Sequence, residues 1–454
     1  MRYIPLSDDD RKFMLDAIGV SSMEELLKQI PDELRVRELL PIGKGLSEKD
    51  LLDHMGELSD ALPAGLVNFA GAGCYEHFIP AAIAPIVTRG EFATAYTPYQ
   101  PEMAQGTLQA AFEFQSFVTM LTGMEVANSS MYDGATATAE AVLMVARVLK
   151  HKRKTFIVSG ALHPEYLEVV RTYCEPPELK IVVVPFDEKS GRTDTAALKA
   201  AIAEAGDDFA GIVMQSPNFL GVIEDWKAGA ELAHSAGGKF IACFAEATSL
   251  GLLSAPGDFG ADIVCGEGQA WGLPMSWGGP GVGLFACKMS DVRQLPGRVV
   301  GETVDTQGRR GFVLTLATRE QHIRRERATS NICTSQQLCA LWATVWLSLF
   351  GKKGLKDLAR RNYAATQYAK EKLGALDGYS VRFSGVTYNE FVLDCPKGAD
   401  AIVAKLGEQK IVPGVALGRL LGAGFEKSLL VCATEMRSTT EIDKLAVALK
   451  EAAR

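Results

Sequence analysis

The sequence has no segment long and apolar enough to cross a bilayer. Its longest apolar stretch, residues 338–350, is interrupted by Thr344 and Ser348. That is well short of the ~20 residues a spanning helix needs, so it reads as a buried core helix and no membrane partner is expected. No two cysteines have CxxC spacing. The nine (Cys74, Cys174, Cys243, Cys265, Cys287, Cys333, Cys339, Cys395 and Cys432) are odd in number and scattered, which reads as reduced thiols in a cytoplasmic compartment. There is no HExxH, and none of the six histidines pairs with another at ligand spacing, so no metal site is expected. There is no Walker-A loop. Gly71-Ala-Gly73 lacks the third glycine of a dinucleotide fingerprint. Residues 1–13 have neither the apolar core of a secretory signal nor the arginines of a transit peptide. Positive charge is in deficit, with 47 basic against 55 acidic residues and a net charge of −8. That argues against general affinity for nucleic acid or anionic membranes.

What is present is ordinary globular usage: 454 residues, 47% hydrophobic and 22% charged, with 44 glycines. Residues 1–60 read as an N-terminal helical arm, too small for its own core. Ser7 opens one helix, Ser21 with Glu24 forms a capping-box pattern before a second that Pro31 stops, and Ser47 with Asp50 opens a third. From 61 to 335 short β-rich runs (155–159, 180–185, 211–215, 239–244, 262–265, 283–287) alternate with helical periods such as 194–205 and 228–235. This predicts a large α/β domain with a mainly parallel sheet covered on both faces. A linking helix, capped by Thr334 with Gln337, and a small C-terminal α/β domain fill 336–454. That domain has strand candidates at 389–393 and 429–433, and a last helix announced by Ser438 and Glu441.

Four segments could carry chemistry. The turn from Trp277 to Gly283 is glycine-rich, which suits a tight crossover or a close backbone approach to a cofactor. Residues 131–140 open a helix whose free N–H groups could hold a phosphate, but Asp133 is itself a good N-cap and would repel one. The run from Tyr96 to Gly106, with two tyrosines and two prolines, is a stiff aromatic loop leading into a helix that Pro101 can start. Residues 288–327 hold nine basic and five acidic residues, a solvated ion-paired face or a dock for an acidic partner.

Longer composite stretches carry a resemblance: Asn68 to Pro80 (with Gly71, Gly73, Tyr75 and His77), Tyr96 to Gly106, Pro256 to Asp262, Gln321 to Thr334, and Asn389 with Phe391. Over nearly its whole length the chain resembles the two-chain P-protein of the glycine cleavage system, glycine dehydrogenase (decarboxylating), and within it subunit 1, the α chain. The resemblance implies an aspartate-aminotransferase-like fold, the type I fold of pyridoxal-phosphate (PLP) enzymes. It implies a sister subunit 2 (β chain) in an α2β2 assembly, and a lipoylated H-protein as second partner. The reaction implied is decarboxylation of PLP-bound glycine, with the aminomethyl group passing to the lipoyl arm. The NAD step belongs to another component.

Set against that family pattern, this chain lacks the chemistry. The Schiff-base Lys is expected five residues before the Pro that precedes the glycine-rich turn. That Pro is Pro274, and Gln269 stands in the Lys position; an amide cannot form the imine. Residues 239–245, expected to supply an acid to the cofactor's ring nitrogen, contain no Asp, and Glu246 is the nearest substitute. With Asp133 at the phosphate loop, three requirements fail, so no catalytic residue is expected here and PLP is expected to be held covalently by the partner chain. Lys288 is the nearest alternative amine, but it follows the turn. The resemblance makes Tyr96, Thr97, Tyr99, Gln100 and Gln105 candidates to meet glycine's carboxylate or the lipoyl channel at the interface. Arg324, Arg325 and Arg327 form a docking or structural basic cluster, and His77 and His163 read as structural or interface residues. Two other readings stay open: a self-sufficient PLP aminotransferase or decarboxylase using another Lys, and a non-catalytic regulatory subunit.

Overall fold

The computed structural model describes residues 6–38, 40–62, 64–94 and 96–453. The chain divides into two compact units, residues 1–64 and 65–454. In the first, helices Asp8–Ile18, Met23–Leu26 and Glu48–Asp60 bury no residue. Local capping therefore starts them: Ser7 and Asp10 form a reciprocal capping box, and Ser47 accepts from the Asp50 N–H. The expected Ser21–Glu24 box is displaced by one residue. Ser22 caps the short helix through the Glu25 N–H, and Ser21 instead donates to the Glu25 carboxylate.

The second unit is built on a seven-stranded sheet. Its spatial order is Val126–Ala127, Gly283–Cys287, Ile263–Glu267, Lys239–Phe244, Phe209–Gln215, Thr155–Ser159 and Lys180–Val184. The last five strands run parallel, and Gly283–Cys287 and Val126–Ala127 are antiparallel to their neighbours. Alternate side chains go to opposite faces. Ile157, Ile212, Ala242, Val264 and Leu284 enter one core cluster. Phe156, Val158, Val213, Ile241 and Phe285 enter the other. Double burial explains why these strands read as unbroken apolar runs. Helix Gly134–Val148 packs on the second face and supplies Ala137, Ala141, Val142 and Val145 to it.

Helix Gln337–Gly374 is interrupted at Gly351, whose φ of 59° no neighbouring helical residue shares. Its first half places Ala340, Ala343, Trp346 and Leu347 against the large sheet, as the apolar run at 338–350 predicts. Its second half carries Ala369 and Leu373 to a four-stranded sheet of Ser380–Val381, Glu390–Asp394, Ser428–Cys432 and Val415–Ala416. The expected Thr334 cap does not form. Gln336 takes the N-cap position without a side-chain bond, and its own N–H donates to the Ser130 hydroxyl. The helix expected from Pro101 begins a turn later, over Gln105–Thr122. Ser438 and Glu441 form their box as expected. Among the described residues, no helix is long and apolar enough to cross a membrane.

Candidate functional site

The parallel strands deliver their carboxyl ends to one edge, where open α/β sheets place ligands. A cavity of about 470 Å³ lies there, lined by residues that include Tyr132, Asp133, His163, Tyr166, Glu267 and Gln269. Helix Gly134–Val148 points its amino end at this edge, capped by Asp133, whose Oδ1 accepts from the Thr136 N–H at 2.7 Å. The Gly134 N–H beside it is not free. It donates to Glu267 Oε2 at 2.9 Å, while Glu267 Oε1 accepts from the N–H groups of Gln269 (2.9 Å) and Val282 (2.8 Å). Burial raises the Glu267 pKa and these N–H donors oppose the rise. The sequence reading missed Glu267; its only signal was an acidic residue ending an apolar strand.

Gln269 is buried and fully engaged. Its Oε1 accepts from the Tyr75 N–H at 3.0 Å, and its Nε2 donates to the carbonyls of Tyr75 (3.0 Å) and Leu273 (2.7 Å). The amide acts as a clamp between the 69–80 segment and the site turn. Lys288 lies at the other end of its strand: Cys287 pairs with Ile263, whereas Gly283 pairs with Glu267 at the cavity edge. Its ammonium is held by Asp262 at 3.0 Å. Glu246 does not line the cavity. Its carboxylate is taken by Thr248 N–H (2.8 Å), Asn389 (3.2 Å) and His77 (2.9 Å).

His77 is the centre of a buried network. Nε2 meets Glu246 and Nδ1 meets Glu435, each at 2.9 Å. Burial lowers its pKa, but the two carboxylates outweigh burial and raise it to about 10, so the ring is an imidazolium. Nearby, Glu390 accepts from the Tyr75 hydroxyl at 2.7 Å and the Ala72 N–H at 2.6 Å. Burial pushes its pKa up to about 7. These contacts tie residues 69–80 to both sheets. His163 lines the cavity, with Nε2 at 2.9 Å from the Ala72 carbonyl and its ring stacked on Tyr166. Burial lowers its pKa.

The 96–105 loop presents Tyr96 (81% exposed) and Tyr99 (55%) to solvent, with Gln100 also exposed. Beneath Tyr99 lies Arg298, only 6% exposed, which donates to the Tyr99 hydroxyl at 3.1 Å. Arg298 Nε and the Thr97 hydroxyl are buried with no hydrogen-bond partner among the described residues. Gln105 is used differently. Its amide bonds the Pro101 carbonyl and both backbone groups of Phe312, docking the hairpin Val299–Val304/Arg310–Thr315. Sequence reading missed that hairpin. In the basic cluster, Arg324 donates to the Thr318 carbonyl, and exposed Arg327 pairs with its neighbour Glu326. The structure brings Tyr99 within 6.1 Å of His322, so the loop and the start of the basic segment meet.

The family described as glycine cleavage system P-protein matches residues 1–449. The chain belongs to the P-protein family. A relative from Desulforamulus reducens, named probable glycine dehydrogenase (decarboxylating) subunit 1, is 46% identical over 99% of both chains. One of the same name from Anaeromyxobacter dehalogenans is 48% identical over 99% of this chain and 100% of that one. The crystal structure of a glycine decarboxylase (P-protein), in inhibitor-bound form, superposes with a TM-score of 0.86 at 40% identity, covering 100% of both chains. A sphingosine-1-phosphate lyase at TM-score 0.67 and 14% identity, over 92% of each chain, shares the fold. The fold is therefore the expected type I α/β architecture.

The residues of this P-protein chain do not fit a pyridoxal phosphate of its own. The cofactor needs an amine, an acid at its ring nitrogen, and free N–H groups for its phosphate. Where the family resemblance leads one to expect the amine stands the locked amide of Gln269, and the strand end holds buried Ala245, with Glu246 turned to His77. At the helix start the N–H groups of Gly134 and Thr136 are taken by carboxylates.

Proposed function

We propose that this chain is the non-Schiff-base half of a glycine-decarboxylating P-protein. A sister chain carries the cofactor covalently, and this chain completes that site across the interface. The observation that carries the reading is Gln269, whose amide is spent on three hydrogen bonds where an amine is required. The subunit numeral in the relatives' names implies a second subunit. In the assembled enzyme, bound pyridoxal phosphate supplies an electron sink for the pair left when carbon dioxide departs. The C1–C2 bond of glycine would break with loss of carbon dioxide, and the aminomethyl carbon would bond one sulfur of the H-protein's lipoyl disulfide as the S–S bond breaks and the other sulfur takes up a proton as a thiol.

This chain's part is positioning. Beside Tyr99, Thr97 Oγ1 is buried with no hydrogen-bond partner among the described residues, and Arg298 Nε makes no hydrogen bond, its nearest carboxylate being Glu320 at 3.8 Å. An unpaired buried donor is costly unless something fills it, and a carboxylate or the lipoyl channel's amide suits both. Holding glycine's carboxylate out of the cofactor plane is the orientation that decarboxylation requires. Arg324, Arg325 and Arg327 offer a basic face to an acidic H-protein, and an α2β2 assembly gives each sister chain one such partner.

The test expresses this chain alone and with its sister. Borohydride trapping and release of labelled carbon dioxide from glycine are then measured. Both are expected only in the mixture, with the trapped lysine on the sister chain. An imine on this chain, or decarboxylation by it alone, would overturn the reading.

A further inference from the structure

Glu267 ends the strand Ile263–Glu267 at the centre of the cavity edge and is only 6% exposed. Two residues earlier on the same face, Cys265 meets Thr138 of helix Gly134–Val148, so this face of the strand looks at the helix. Three backbone N–H groups from three separate segments converge on the carboxylate: the helix start at Gly134, the strand exit at Gln269, and the glycine-rich turn at Val282. Converging N–H groups at the amino end of a helix form an anion site, favoured further by the helix dipole. Two glycines shape it. A Cβ at Gly134 would stand 2.9 Å from Glu267 Cβ, and one at Gly281 would stand 2.8 Å from Glu267 Oε2. The cradle is closed around this carboxylate and accepts no bulkier wall.

We infer that Glu267 is a built-in stand-in for a phosphate: its carboxylate occupies the anion cradle of Gly134, Gln269 and Val282 and so excludes phosphorylated ligands from this chain. A phosphate group needs the same N–H donors, and two anions cannot share them in a buried site. Asp133 takes a further N–H of the helix start and adds a second negative charge beside it. The neighbouring cavity of about 470 Å³ stays open, so the exclusion comes from the occupied cradle and not from lack of room. The inference concerns this chain by itself and holds whether or not the sister chain supplies the chemistry.

The experiment titrates inorganic phosphate into the full chain in phosphate-free buffer, read by calorimetry and by Tm. Wild type is expected to show no saturable heat and no rise in Tm. Glu267→Ala is expected to melt lower and to regain Tm saturably with phosphate, with affinity on the order of a hundredfold or more above wild type. Pyridoxal phosphate is expected to act like phosphate, and pyridoxal to have no effect. Adding Asp133→Ser, which keeps the N-cap, is expected to tighten phosphate further. Glu267→Gln, which keeps the volume and fills the cradle with a neutral amide, is expected to bind none. Wild type stabilised by phosphate as strongly as Glu267→Ala would overturn the inference. So would a folded Glu267→Ala chain that ignores phosphate, or one that folds neither with phosphate nor without it while Glu267→Gln folds.

Discussion

At position 269 the difference between an amide and an amine is the difference between a clamp and a nucleophile. Gln269 bonds two segments at once through groups that both donate and accept; a Lys ammonium only donates. Gln269→Lys is therefore expected to lose about 2 kcal/mol of stability in urea unfolding. It is expected to yield no borohydride-trapped imine with pyridoxal phosphate, since Glu267 still fills the cradle. Trapping at that lysine would contradict the fit argument.

His77 poses a related problem of charge. Between Glu246 and Glu435 its imidazolium is shared by two buried carboxylates and offsets one of their two charges. His77→Ala would leave both without their shared cation, at an expected cost of ~3–5 kcal/mol. The pH dependence follows from the raised pKa. A proton held more tightly in the folded state stabilises it fully below the ordinary histidine value of 6.5, and the gain is lost as pH climbs toward about 10. Urea midpoints measured at pH 6 and pH 9 are expected to fall further for wild type than for His77→Gln. Equal falls would mean that the ring is neutral.

Among elements, helix starts separate what local sequence encodes from what it leaves to context. Ser438 and Glu441 form a box that needs no tertiary partner, and Ser438→Ala is expected to cost ~1 kcal/mol in thermal unfolding. Thr334 has the same local pattern with Gln337, but the backbone there is held by other bonds: Tyr132 accepts from the Cys333 N–H, and Ser130 from Gln336. A long-range contact overrode a local preference. The strands were legible because double burial writes apolar runs into the chain. The hairpin after residue 298 was not, because its strand Val299–Val304 is buried only at its first residues and exposed at its last ones.

For the whole molecule, the question is what the 96–103 surface meets. Tyr96 and Met103 are more than 80% exposed, a composition suited to burial against another chain. Tyr99→Phe, assayed with the sister chain, is expected to lower glycine turnover about tenfold through misplacement of the substrate. It is expected to leave the chain folded, since the single hydrogen bond lost is the one Arg298 donates to the Tyr99 hydroxyl. Unchanged turnover and KM would remove Tyr99 from the site. Charge reversal at Arg324 and Arg327 is expected to weaken H-protein binding and flatten its salt dependence. An unaltered salt slope would confine those arginines to a structural role.

The chain alone determined its family, the alternation of strands and helices and the N-cap at Asp133. Each of these is written in residue types at short spacing. Only the tertiary structure decided which groups fill the cavity edge and what holds its walls. Glu267 meets Gly134 across 133 residues of sequence, His77 meets Glu246 across 169, and Tyr75 meets Glu390 across 315. Hydrogen bonds between such distant groups leave no local pattern, because the geometry that makes them exists only after the sheets and helices have packed.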